Sequence, residues 1–262
     1  MLPTIVGVTG MWHPASCFED LEAAFKEKGY PFISQDAPGI LDEDPFNSTV
    51  DKDSESLRQN ILLPLLAEGK DVVLLMHSYG GIYGSAAVAG LSARERKKAG
   101  LQGGVTGLVY ITAVTPAVGK SLLDMMGLTP ENLPPHVVMD EPRGQILLIE
   151  AEKHMYHNIS KTEADKWIAR IKPQAYCSIN TPISYSPLED ENYKGLAGYI
   201  LCGGDRVLPL EAQKYYADIS GIKHTVLVEE ASHAFYAGTC EQTTVIIIRK
   251  LESRTTSSIS NF

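Results

Sequence analysis

The sequence predicts an α/β protein: a mostly parallel sheet of about six strands, helices on both faces, and an inserted cap. Three observations carry that reading. Short apolar runs alternate with helix-length amphipathic ones, which is the rhythm of βαβ units. The strand runs are apolar throughout, so they need cover on both faces. One of them, residues 72–76, continues through His77 into Ser78 and then into a small-residue helix that opens with Gly80-Gly81. A strand, a serine corner and a helix in that order lift the hydroxyl above the sheet and aim free helix N–H groups beside it.

The elements follow in order. Residues 4–8 form the opening strand, and residues 19–28 the first helix, with Leu21, Ala24 and Phe25 on one face and Gly29 closing it. Residues 32–35 begin the second strand. A loop with Pro38-Gly39 leads to a helix at 54–67, which Pro64 kinks or ends because it offers no N–H and crowds the preceding turn. The third strand at 72–76 is followed by its helix at about 79–91. Further strands are expected at 107–112, 198–202 and 225–228, with a closing helix at about 240–251. Between 114 and 195 the rhythm breaks: eight of the 15 prolines fall there, around a helix at about 161–171. The expected division is therefore a core of residues 1–113 and 196–262, with a cap of 114–195 at the sheet edge where open α/β folds bind ligands.

Composition narrows the partners. With 262 residues the chain makes one large domain or two small ones. A net charge of −9 provides no basic face for nucleic acid or an anionic membrane, and no run approaches the roughly 18 apolar residues a membrane span needs. Cys17, Cys177, Cys202 and Cys240 are far apart and show no C-x-x-C spacing. They read as reduced thiols, which suits a cytoplasmic location. The N-terminus has no basic region and no signal peptide is expected. The sequons at Asn47 and Asn158 then carry no weight, and the Ser/Thr-rich tail from Ser253 reads as frayed.

A serine hydroxyl is a poor nucleophile until an imidazole takes its proton, and that imidazole needs a carboxylate to hold its tautomer. Two later loops supply both. Asp205 follows the strand at 198–202, and His233 follows the strand at 225–228. Ser78, Asp205 and His233 are thus the expected catalytic residues. Backbone N–H groups of Tyr79, directly after the serine, and of Met11, in the turn after the first strand, are the expected oxyanion hole. Each residue alone has a plainer reading: Asp205 could cap the helix near Pro209, His233 could be a surface histidine, and Glu229 or Glu230 could rival Asp205. Their order and placement on strand ends favour the triad. His77 reads as packing, directed away from the cleft, and His154 and His157 as structural. Trp12, His13, Met125, Met126, Met155, Tyr156 and Phe235 are the candidate pocket lining, suited to a small, mostly apolar molecule. No H-E-x-x-H or similar spacing occurs, so neither metal nor cofactor is expected.

These residues resemble the α/β-hydrolase superfamily, in particular the small-esterase branch that contains plant methyl-ester esterases and hydroxynitrile lyases. The resemblance spans nearly the whole chain, including the spacing from Val8 to Gly29, the run Gly104 to Tyr110, the turn Gly119 to Leu122, the run His154 to Asn158, Lys172 to Ala175, and Thr181-Pro182. It implies the α/β-hydrolase fold and ester cleavage without a cofactor; such proteins are often dimers, so a homodimer is an open expectation. In the hydroxynitrile lyases a threonine in the oxyanion loop and a lysine after the catalytic histidine handle the cyanohydrin. Gly10 and Ala234 stand at those positions, which argues against the lyase. Ser78 in place of an aspartate argues against epoxide hydrolases and dehalogenases. One departure opens alternatives: Met76 replaces the glycine of G-x-S-x-G and is expected to crowd the elbow. A non-hydrolytic binding protein or cyclase is the second reading, and a thioesterase the third.

Overall fold

The computed structural model describes residues 2–41 and 44–257. Among these described residues, nine strands fall into two sheets. The first contains β1 (Thr4–Val8), β2 (Phe32–Ser34), β3 (Asp71–His77), β4 (Gly104–Ile111), β8 (Ala197–Cys202) and β9 (Thr225–Val228), in the order β2-β1-β3-β4-β8-β9. All its pairings are parallel. The second is a small antiparallel sheet of β5 (Val137–Asp140), β6 (Gln145–Leu148) and β7 (Gln174–Ala175). The helices are α1 (Glu19–Glu27), α2 (Pro38–Leu41), α3 (Val50–Leu57), α4 (Leu63–Ala67), α5 (Gly80–Ala87), α6 (Ala93–Lys98), α7 (Leu122–Met126), α8 (Ala151–His154), α9 (Lys161–Ile168), α10 (Tyr176–Asn180), α11 (Leu210–Ile219) and α12 (Cys240–Ser257).

The uniformly apolar strands are explained by two cores, one on each face of the large sheet. In β3, Val72, Leu74 and Met76 point into one cluster and Val73 and Leu75 into the other. The alternation of side chains across a strand leaves no residue for water when both faces are covered.

Two expected elements changed, and a third ran longer: α12 continues to Ser257, through residues 253–257 that were expected to fray. The helix expected at 54–67 starts at Val50 and is interrupted by a π turn, Arg58–Leu62, before α4. Pro64 accounts for the turn: it cannot donate to the Asn60 carbonyl, and the widened turn lets the Leu63 N–H reach back to Arg58 O. The segment between β4 and β8 also holds more than the single helix expected. It carries the β5–β6 hairpin, turned at Gly144 with φ +62°, and the strand β7. Among the described residues no helix is long and apolar enough to cross a membrane. Cys17, Cys177 and Cys202 are free thiols. The Cys240 side chain and the tail beyond Ser257 lie outside the described residues.

Candidate active site

Three loops at the carboxyl ends of β3, β8 and β9 bring the expected residues together. Ser78 follows β3 directly and takes φ +53°, a left-handed conformation that a serine adopts only when its surroundings impose it. Its Oγ lies 3.0 Å from His233 Nε2, and His233 Nδ1 lies 2.7 Å from Asp205 Oδ2. With the proton on Nδ1, the imidazole donates to the carboxylate and accepts from the serine hydroxyl.

The Asp205 carboxylate is fully engaged. Oδ2 also accepts from the Thr112 hydroxyl, and Oδ1 accepts the N–H groups of Val207 and Leu208 at 2.7 and 2.9 Å. Burial alone would raise its pKa. The facing imidazole, its hydrogen bond and the Thr112 hydroxyl outweigh burial and hold the carboxyl below its ordinary value. Asp205 therefore also serves the turn into α11. Glu229 and Glu230 are exposed, and Asp205 holds the imidazole Nδ1.

Thr112 was not anticipated, although its position gave a signal. In the β3–β4 register His77 pairs with Ile111, so Thr112 is the residue beside Ser78 on the next strand end. It too has positive φ, +39°. His77 was expected only to pack. Its Nε2–H donates to the His233 carbonyl at 2.9 Å, and its ring lies 4.9 Å from that of His233. Burial, reinforced by the neighbouring His233 imidazole, pushes His77 well below the usual imidazole range, so it supports the loop as a neutral ring.

The turn after β1 presses against the serine corner. A Cβ added to Gly10 would lie 2.9 Å from both Ser78 Cβ and His77 Nδ1, so only glycine fits this approach. Among the described residues neither the Met11 nor the Tyr79 N–H has an intramolecular acceptor. Two unpaired donors beside a serine hydroxyl can bind an oxygen that acquires negative charge.

Most of the expected pocket lining has other contacts. Trp12, φ +65°, is 1 % exposed. Its N–H donates to Gln174 Oε1, its indole N–H to Ile146 O, and its carbonyl accepts from the Lys172 N–H. His13 Nδ1–H donates to Met11 O, and Nε2 accepts from the Tyr156 hydroxyl, each at 2.7 Å. Burial lowers its pKa to about 4 in spite of the Met11 bond. Tyr156 continues toward Tyr236, and Met155 and Phe235 sit in the same buried cluster. These five side chains form the framework and offer a ligand almost no surface. Met125 and Met126, like Met11, are half-buried against the cluster that contains Tyr79.

A serine–imidazole–carboxylate relay at the carboxyl edge of a doubly covered parallel sheet defines a hydrolase-type enzyme site. The family model described as "Alpha/beta hydrolase family" matches residues 5–242, and the chain belongs to that family. It is 28 % identical over 211 residues to the alpha/beta hydrolase nvfD of Aspergillus novofumigatus, covering 79 % of this chain and 80 % of that one. Among solved structures, polyneuridine aldehyde esterase superposes with a TM-score of 0.72 at 18 % identity, over 95 % of this chain and 99 % of the other. The methylesterase MES16 of Arabidopsis gives 0.71 at 17 % identity, over 96 % and 99 %.

Proposed function

We propose that the protein is a serine hydrolase that cleaves a carboxylic ester of a small, mostly apolar molecule. The observation that carries this reading is the continuous relay from Ser78 Oγ through His233 to Asp205, with contacts of 3.0 and 2.7 Å. His233 takes the Ser78 proton as the oxygen attacks the ester carbonyl. The Met11 and Tyr79 N–H groups hold the resulting oxyanion. His233 then protonates the leaving alkoxide, and a water activated by the same ring releases the acid from the acyl-enzyme. The residues between β4 and β8 act as the cap. The half-buried Met11, Met125 and Met126, packed against the cluster that contains Tyr79, support an apolar substrate, and the esterase names of the structural neighbours support an ester.

The steric motive for a non-hydrolytic reading is weak. Met76 is fully buried, and the room it needs is supplied by Gly84 one turn into α5. The test is a fluorophosphonate probe followed by a panel of p-nitrophenyl esters and matched thioesters. Wild type should label and turn over, and Ser78→Ala should do neither. Equal, poor labelling of both would sink the hydrolase reading.

A further inference from the structure

A buried polar network flanks the two candidate oxyanion donors, and no step of ester hydrolysis uses it. Its centre is Asp53 on α3, a carboxylate with no exposed surface. Oδ2 accepts from the Tyr79 hydroxyl and Oδ1 from the Gly39 N–H, each at 2.7 Å. The Tyr79 hydroxyl also lies 3.2 Å from the Ser178 carbonyl of α10. Ser178 Oγ accepts from Gln174 Nε2 at 2.6 Å and donates to Ala175 O at 2.7 Å. Gln174 Oε1 in turn accepts the Trp12 N–H at 3.3 Å. A Cβ added to Gly39 would lie 2.6 Å from Gln174 Nε2 and 2.9 Å from Asp53 Oδ2, so the amide and the carboxylate converge on one point.

The two ends of this network are informative. Tyr79 carries one oxyanion donor on its own backbone, and Trp12 directly follows Met11, which carries the other. Both corners are conformationally unusual, with positive φ at Ser78 and Trp12. Such backbones keep their shape only where neighbouring contacts over-determine it. A buried carboxylate is also costly unless its hydrogen bonds are made, so Asp53 is a poor choice for filling space alone.

We propose that Asp53, Gln174 and Ser178 are positioning residues that set the oxyanion hole by fixing Tyr79 and Trp12. The segment between β4 and β8 then helps to form the hole as well as covering it, because Gln174 and Ser178 both come from it. The proposal rests on the serine-hydrolase reading. A misplacement of about 1 Å at such a site costs roughly 100-fold in rate, which is the scale expected when the network is cut.

Tyr79→Phe removes one hydroxyl and keeps the ring; Gln174→Met removes the acceptor for Trp12 and keeps the shape. Each is compared with wild type for kcat and KM on p-nitrophenyl butyrate. Two further measurements are inhibition by a trifluoromethyl ketone, whose serine adduct places an oxyanion in the hole, and unfolding in urea. Each variant should lose about 10- to 100-fold in kcat with KM within about threefold. Inhibitor affinity should fall by a similar factor while the enzyme remains folded. Unchanged kcat and inhibitor affinity in either folded variant overturns the proposal. So does a loss that only follows the folded fraction. A wild type that neither labels with fluorophosphonate nor turns over removes the hydrolase reading, and the proposal with it. Wild-type turnover with unaffected variants removes the proposal alone.

Discussion

The two ends of the relay are held by different parts of the chain. At the acid end, the hydrogen bonds to the Asp205 carboxylate all come from the loops of the large sheet: Thr112 after β4, the Val207 and Leu208 N–H groups after β8, and His233 after β9. At the oxyanion end, Trp12 is held by Gln174, Ile146 and Lys172, and His13 by Tyr156. All four lie between β4 and β8. The Ser78–His233–Asp205 contacts are thus supported from the sheet, whereas the turn that carries the proposed oxyanion donor Met11 is held by the segment between β4 and β8. The segment also reaches the loops of Asp205 and His233, through Arg206 Nη1 to Lys153 O and Asn158 Nδ2 to Glu230 O, but it contributes no hydrogen bond to the Asp205 carboxylate itself.

Substitutions at each end test that difference. Asp205→Asn is expected to have the largest effect, because an amide can favour the wrong imidazole tautomer without disturbing the packing. kcat should fall about 10⁴-fold with KM little changed, measured by steady-state ester hydrolysis. At the other end, Gly10→Ala introduces a Cβ 2.9 Å from Ser78 Cβ and His77 Nδ1. The turn must back away, and kcat should fall about 10²- to 10³-fold, as for loss of one oxyanion donor. A Gly10→Ala enzyme with wild-type kcat would show that this turn contributes nothing to the hole.

Acid separates the ends by pH window. His13 needs a neutral ring to accept from Tyr156, and its pKa is lowered from an ordinary 6.5 to about 4 in the fold. The unfolded chain then binds the extra proton first. The stability from His13 is complete above about pH 6.5 and is lost as pH falls toward 4, by about 3 kcal/mol. His77 and His136, which burial also holds low, add to the same loss. Asp205 is depressed instead, so its contribution is present above the ordinary carboxylate pKa of about 3.9 and fades only below it. Urea unfolding between pH 7 and pH 4 should therefore show a steep decline that His13→Gln makes shallower. Thr112→Val should lower stability by about 2 kcal/mol at pH 7 and leave that slope unchanged. A decline that begins only below pH 4 would contradict the assignment.

The same division governs what was legible in the sequence. Ser78, Asp205 and His233 are readable because each sits in the loop directly after an apolar strand, in a fixed order, so local pattern and tertiary position coincide. The start of α3 was not. Its buried stripe is Val50, Asp53, Ser54 and Leu57, and two polar members erase the apolar periodicity that marks a buried helix face. The β5–β6 hairpin was missed because its strands are four residues long and no residue of β5 is fully buried. Trp12, Tyr156 and Phe235 looked like pocket residues because large apolar side chains near a site suit a ligand as well as a core. Their tertiary partners decide between the two, and those partners are up to 162 residues away.

Met76 gives the smallest effect and the sharpest test of the sheet-held half. A Cβ at Gly84 would lie 3.0 Å from both Met76 Cγ and Sδ, so the bulky residue before the elbow and the missing side chain on α5 are two parts of one fit. Gly84→Ala gains about 1 kcal/mol of intrinsic helix preference, but overpacking against Met76 should outweigh it and leave a net loss of about 1 kcal/mol. Met76→Ala should cost about 2–4 kcal/mol by opening a cavity. The double variant, in which the new methyl enters the vacated space, should be more stable than the sum by about 1 kcal/mol in urea unfolding. Additivity within about 0.3 kcal/mol would mean that the two residues are not fitted to each other. The hydrogen bonds that hold Trp12 and His13 involve neither Met76 nor Gly84. The double variant should therefore keep kcat within a few-fold of wild type even where its stability differs.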